Sequence, residues 1–268
     1  MSLHQTLLAA ALISATTAVS TRAGDLQSES AVQGSVPRWQ VQLEGSLTQT
    51  TSNTLQKPDT ASGTRFDVVD YAGKESILGR FGLIRAVDWG RTGSELRLDV
   101  VPFQQSGTRA AKTTIRFDGV TFQSSVPLTA LYQFNTYRLT YDLPIFREVD
   151  PDRWSFRLGG TLAIRDADNR LKQPGTRANY INYGPVPLLY AFSARRLSRT
   201  LRAEADLDAF PAPGGGGLLD VSGRAVWDLA PRASVFLGVR YEAGGAVQDS
   251  IYTFFHQRSA LAGVRFAF

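Results

Sequence analysis

The sequence predicts an all-β chain, about ten antiparallel strands closed into a transmembrane up-and-down β-barrel. Three observations predict it. Short segments alternate apolar and polar residues at period two through most of residues 38–268, the mark of strands whose two faces meet different surroundings. Gly, Asp and Pro clusters punctuate those segments, with 24 Gly and 12 Pro in 268 residues, as expected of a many-stranded fold. The connections alternate between short and long, the asymmetry of single-chain barrels with tight turns at one end and larger loops at the other.

The first strand, Arg38 to Thr48, places Trp39, Val41, Leu43 and Leu47 opposite Gln40, Gln42, Glu44 and Ser46. A long polar stretch follows to about Ser76, in which T-R-F-D-V-V-D-Y is expected to extend the strands. The second strand, Ile77 to Val87, puts Arg85 on the face of Phe81 and Leu83, which needs a rim position or a bulge. The third, Glu95 to Phe103, alternates Leu96, Leu98 and Val100 with Glu95, Arg97 and Asp99. An excursion over residues 104–129 reads as a projecting hairpin. In the fourth strand, Ala130 to Ile145, Tyr137, Leu139, Tyr141 and Leu143 face out, and Thr136, Arg138, Thr140 and Asp142 face in.

The fifth strand, Arg153 to Ala167, sets Trp154, Phe156, Leu158, Leu162 and Ile164 against Arg157, Gly159, Thr161 and Arg165. After a polar loop, the sixth, Val186 to Arg196, is read with Leu188, Tyr190 and Phe192 outward. The seventh has Leu201, Ala203, Ala205, Leu207 and Ala209 outward and Arg202, Glu204, Asp206 and Asp208 inward. The four glycines 214–217 read as a flexible loop, with no Lys-Ser/Thr after them to make a phosphate cradle. Leu219 to Trp227, with Asp220, Ser222 and Arg224 inward, is the eighth. The ninth, Ala233 to Gly244, opposes Val235, Leu237, Val239 and Tyr241 to Ser234, Gly238, Arg240 and Glu242. The last alternates Ala260, Ala262, Val264, Phe266 and Phe268 with Leu261, Gly263, Arg265 and Ala267.

That last strand, ending on Phe268, resembles the C-terminal strand of Gram-negative outer-membrane barrels, where the final aromatic is read by the insertion machinery. Several segments together resemble a group of uncharacterised Gram-negative outer-membrane barrel proteins. They are Phe134-Asn-Thr-Tyr-Arg-Leu-Thr-Tyr141, Ile164-Arg-Asp-Ala-Asp168, Gly184-Pro-Val-Pro-Leu-Leu189 and Tyr241-Glu-Ala-Gly-Gly245. The resemblance covers roughly residues 38–268 and implies location and fold, with no functional residues to carry over. The expected partners are outer-membrane lipids, lipopolysaccharide and the insertion machinery, the expected place is the cell outer membrane, and a monomer is expected.

Composition narrows the field. Residues 1–23 look like a secretory signal peptide, with an apolar core from Leu7 to Val19 and Thr21-Arg22-Ala23 at the cleavage site, though no Lys or Arg precedes the core. Residues 24–37 read as a disordered lead-in to the barrel at 38–268. No other segment approaches eighteen apolar residues, so helices are not expected to span a membrane in the mature chain. Cysteine is absent, which removes disulfides and thiolate metal sites. The formal charge of +5 is spread thinly, without the dense basic block of a nucleic-acid binder.

Taken together, the inward face is expected to carry Arg97, Asp99, Arg138, Asp142, Arg157, Arg165, Arg202, Glu204, Asp206, Arg224, Arg240, Glu242 and Arg265. Ions of both signs in a narrow bore should pair across strands, because a buried charge without a partner is costly. Trp39, Trp89, Trp154, Trp227 and Phe268 all fall at the short-turn end, as a periplasmic aromatic belt would. No enzyme, cofactor or metal is expected. His256 shares the outward face, but the neighbouring residues are Gln257 and Arg258 rather than a nucleophile, and Ser259 has the wrong spacing. Asp166 and Asp168 lack the remaining oxygen ligands of a calcium loop and read as a solvated turn beside Arg165. The leading role is structural or surface interaction through the outer loops. A narrow pore for small polar solutes is the alternative, followed by lipid A-directed hydrolysis.

Overall fold

The computed structural model describes residues 39–87, 93–145, 154–212, 216–248 and 251–268. The expected signal peptide, the lead-in and Trp89 lie outside the described residues. The described chain is almost entirely strand: β1 (Trp39–Gln56), β2 (Phe66–Asp67), a single helical turn α1 (Val69–Ala72), β3 (Glu75–Val87), β4 (Ser94–Val101) and β5 (Gln104–Ala110). There follow β6 (Ile115–Phe117), β7 (Val120–Phe122), β8 (Pro127–Pro144), β9 (Trp154–Gln173), β10 (Thr176–Arg196), β11 (Leu201–Ala212), β12 (Gly216–Ala230), β13 (Ala233–Gln248) and β14 (Ile251–Ala267).

Ten of these strands form a ring of antiparallel neighbours, β1-β3-β4-β8-β9-β10-β11-β12-β13-β14, and β14 pairs back onto β1. Closure runs from Gln40 opposite Ala267 to Gln56 opposite Tyr252, with one bulge at Thr51. Following paired residues around the ring from Glu75 through Gln49, Arg258, Tyr241, Val221, Leu207, Ala191, Leu158 and Leu143, then extending the Glu95–Asp142 register by one residue to Ser94, returns to the same strand at Val87, twelve residues on. With ten strands and that stagger, the staves lean about 40° from the barrel axis.

The two faces separate as alternation dictates. Leu47 is 67% exposed, Leu237 57% and Val239 65%, and Phe266 and Leu207 lie on the same outer surface. Arg202, Arg224 and Arg240 point into the ring. Ten residues of β14 separate Arg258 from Phe268, which at that lean is a height of about 25 Å, the thickness of a membrane barrel's apolar band. Trp39 and Phe268 meet through backbone hydrogen bonds at one end of the ring. Trp154, opposite Arg195, and Trp227, opposite Leu201, lie at that end too. Arg85 faces outward there, its guanidinium 4.8 Å from the Trp39 ring centroid, so the rim position resolves its place on an apolar face.

Three expectations are corrected. The sixth strand is inside out: Leu188 and Tyr190 are buried, while Leu189 is 72% exposed. Its neighbour explains this, because Tyr190 lies opposite Asp208 and Phe192 opposite Asp206, and paired residues share a face. Both parities of this segment are apolar, so alternation could not choose between them. The polar loop after Ala167 is a hairpin, in which β9 and β10 stay paired out to Gln173 and Thr176, and Gly175 takes φ 72° in the turn. Asp166 and Asp168 therefore sit within a strand. Arg165 pairs with Glu242 at 3.2 Å, and Asp168 pairs with Arg170. Finally, R-F-D-V-V-D-Y forms the two-residue β2 and then α1, instead of a strand extension.

The projecting hairpin expected in residues 104–129 is present as β6–β7, but it is folded in. Ile115, Phe117 and Phe122 are fully buried with Leu55, Phe66, Tyr71, Phe103, Leu128, Tyr132 and Leu171. The outer ends of the long strands thus enclose an apolar core of their own. Burial in it raises the Tyr132 phenol above its ordinary pKa. Phe117→Ala should lower the stability of this outer region by about 3–5 kcal/mol. The expected readout is faster proteolysis within residues 104–126 with the barrel's β-sheet circular dichroism intact; unchanged proteolysis would contradict the packing.

Candidate functional site

The interior of the ring is the site with the most concentrated chemistry. Strand β11 supplies Glu204, Asp206 and Asp208 in succession on its inward face, and arginines converge on them from other staves. Arg265 grips Glu204 with two hydrogen bonds of 3.0 Å, and Arg202 donates to the same carboxylate at 2.7 Å. Asp206 accepts from Arg97 at 3.2 Å, Tyr190 at 2.9 Å and Ser222 at 3.1 Å, and from Arg224. Asp208 accepts from Thr161 at 2.7 Å and Arg138 at 3.1 Å.

Arg138 is the hub. Its side chain, 3% exposed, also reaches Asp220 at 2.5 Å and Glu242 at 3.7 Å. Asp220 is shared with Arg240 at 3.3 Å and Arg80 at 3.6 Å, and Arg240 turns to Glu44 at 2.8 Å. Nearer the short-turn end, Arg157 donates to Asp142 at 2.6 Å and stands 3.5 Å from Glu95, while Arg202 pairs with Asp228. Asp99 is buried opposite Arg138 in register, and glycine at 82 leaves room for it, since a Cβ there would lie 2.9 Å from its Oδ1. At Gly238 the constraint is mainly the backbone: a Cβ there would run into the Gly223 carbonyl oxygen, and would fall 2.9 Å from Cγ of Arg224.

Ion pairs join ten of the thirteen residues expected on the inward face into one lattice, while Arg157 and Asp142 form a separate cluster with Glu95, and Asp99 is buried opposite Arg138. Sequence reasoning put Glu44, Glu95, Asp208 and Asp220 on polar faces without counting them among the candidate site residues. Arg80 lies on the strand whose alternation is least clear, in the run Gly79-Arg80-Phe81-Gly82. Every arginine just named has a carboxylate within ion-pair distance. Many of these pairs link staves four or five apart in a ring of ten: Arg97 on β4 to Asp206 on β11, Arg138 on β8 to Glu242 on β13, Arg80 on β3 to Asp220 on β12. Such pairs cross the bore. A cavity of ≈ 20 Å³ bordered by Glu44, Arg80, Arg240, Glu242 and Ser259 has room for about one water. Val226, Phe236 and Leu261 form a small buried apolar cluster on β12, β13 and β14, and the larger outer core lies beyond the charged interior at the opposite end.

His256 faces outward, with Nδ1 3.0 Å from the Tyr241 hydroxyl. Ser259 belongs to the other face and shares a 2.8 Å hydrogen bond with Thr48, so the two do not form a nucleophile–base couple. Among the described residues no three His, Asp or Glu side chains gather as a metal site.

No protein-family model matches the chain, and no curated protein matches it. Solved structures that resemble it include Neisserial surface protein A, at 12% identity and TM-score 0.37, covering 86% of this chain and 97% of that one. The translocator domain of the autotransporter NalP from Neisseria meningitidis aligns at 10% identity and TM-score 0.38, over 88% and 90% of the two chains. Ail, the attachment invasion locus protein of Yersinia pestis, in complex with a heparin analogue, aligns at 10% identity and TM-score 0.35, over 85% and 99%. At these scores the likenesses add nothing to the fold, which rests on the strand registers.

Removing one member of the lattice leaves charges buried without partners. Arg138→Leu, which strips Asp208, Asp220 and Glu242 of a shared cation, should destabilise the barrel by about 3–5 kcal/mol. Heat-modified mobility on gels should show unfolding at lower temperature or denaturant; a midpoint equal to that of the wild type would mean the pairs do not hold the interior.

Proposed function

We propose that the chain is an outer-membrane barrel with a shut bore, acting without catalysis through contacts made by its outer extension. The observation that carries this reading is the set of ion pairs spanning the interior. A conduit needs a continuous polar path, and here charged side chains from opposite staves meet in the middle and neutralise one another across the bore. The exposed apolar band, about 25 Å tall and bounded by Trp39, Trp154, Trp227 and Phe268 at one end, supports placement in a bilayer with the short turns periplasmic. Should a charge be set in mid-band, as in Leu237→Arg, folding into lipid vesicles should lose about 2–4 kcal/mol.

The extension is ordered by its own core, so it presents a fixed surface. On its outward side Lys172 stands directly opposite Arg177. Like charges across a strand pair are destabilising. Keeping them there suits an anionic partner at the cell surface.

Planar-bilayer recording of the full-length protein tests the shut bore. The wild type should give no stepwise conductance in 1 M-scale salt, and regular steps from the folded protein would overturn the reading in favour of passage of small solutes.

A further inference from the structure

The interior arginines among the described residues each have a carboxylate within ion-pair distance, whereas several outward ones do not, and one of these stands apart from the tryptophan rim. Arg258 on β14 is exposed at the upper edge of the apolar band and forms no ion pair with a described residue. The outward arginines at the opposite rim, Arg85 and Arg195, each lie over a tryptophan ring, Trp39 and Trp154. Arg258 instead stands in register between Gln49 on β1 and Tyr241 on β13, in a row that continues to Glu75 on β3. His256 lies two residues further along the same outward face and is hydrogen-bonded through Nδ1 to the Tyr241 hydroxyl, so Nε2 is the ring nitrogen outside that bond. The only bulge in the β1–β14 seam falls beside it, at Thr51, whose hydroxyl donates to the His256 carbonyl. Bulges of this kind re-aim side chains at functional positions.

We infer that Arg258, His256, Tyr241 and Gln49 form a surface site for the phosphomonoester headgroup of an outer-leaflet glycolipid. The inference rests on the membrane placement proposed above. About 25 Å above the aromatic end, Arg258 stands at the depth where hydrocarbon gives way to headgroups. A guanidinium there is short of a carboxylate, and the planar fork of Arg matches phosphate oxygens. The neighbouring side chains supply further donors, and a phosphomonoester, with charge near −1.5 to −2, gains more from them than a singly charged diester. The acyl chains would lie along the apolar face below, over Val239, Leu237 and Ala260, all of them exposed.

The test uses full-length protein reconstituted in phosphatidylcholine vesicles doped with diphosphoryl lipid A, dephosphorylated lipid A, phosphatidic acid or phosphatidylglycerol. Lipid retained through detergent extraction is counted by native mass spectrometry. Wild type should retain diphosphoryl lipid A and phosphatidic acid about tenfold more than their dephosphorylated or diester counterparts. Arg258→Ala should remove most of that preference, Arg258→Lys should keep part of it, and Arg195→Ala at the other rim should leave it unchanged. Equal retention by wild type and Arg258→Ala, or equal retention of all four lipids, overturns the site. Retention of phosphatidic acid without diphosphoryl lipid A overturns the assignment to a glycolipid. A wild-type protein that fails to enter vesicles overturns the membrane placement and this site with it.

Discussion

Closure of β14 onto β1 is the constraint on which the rest depends. An open sheet with this apolar outer face would leave the N–H and C=O groups of two edge strands without partners in a place that offers no water, at several kcal/mol per group. Sealing the seam from Gln40 to Gln56 removes both edges at once. It also fixes the interior volume, because ten strands staggered by twelve residues enclose a bore just wide enough for side chains to meet. Charged residues that alternation turns inward then have no bulk solvent to lie in, and neutralisation must come from the facing wall.

The lattice follows from that confinement. Arginine suits it because one planar group can serve several acceptors, as Arg138 does with Asp208, Asp220 and Glu242. Buried ion pairs are weak evidence for stability by themselves, since desolvation offsets much of the attraction. Their effect here is geometric. Partners on far staves tie opposite walls together and fill the space through which a solute would pass. Glycine at 82 belongs to the same solution, giving up side-chain volume where Asp99 needs it.

Above the lattice, the long strands change role. Once β8, β9 and β10 continue past the apolar band, their inward residues turn from charged to apolar, with Tyr132, Leu171 and Ala178 buried beside the folded β6–β7 hairpin. A connection that would otherwise be solvated becomes a second small core, and its outward surface is held in one shape. The aromatic rim at one end and the ordered extension at the other give the barrel a direction.

Much of this was legible in residue order alone. Period-two alternation in β11, with Ala and Leu against Arg, Glu and Asp, fixes the facing of that strand without reference to any other, and the same holds for β4, β13 and β14. Alternation is a local property of the backbone, so it survives in the sequence. Facing in β10 is not local: Leu188, Leu189 and Tyr190 are all apolar, and only pairing with Asp206 and Asp208 on β11 decides that Tyr190 turns inward. The partner of each arginine was equally out of reach, because Arg97 and Asp206 are 109 residues apart and meet only when the ring has closed. The sequence by itself determined which residues share a face; tertiary structure decided which faces meet, since stagger and closure are set by the whole ring of registers and by no single strand.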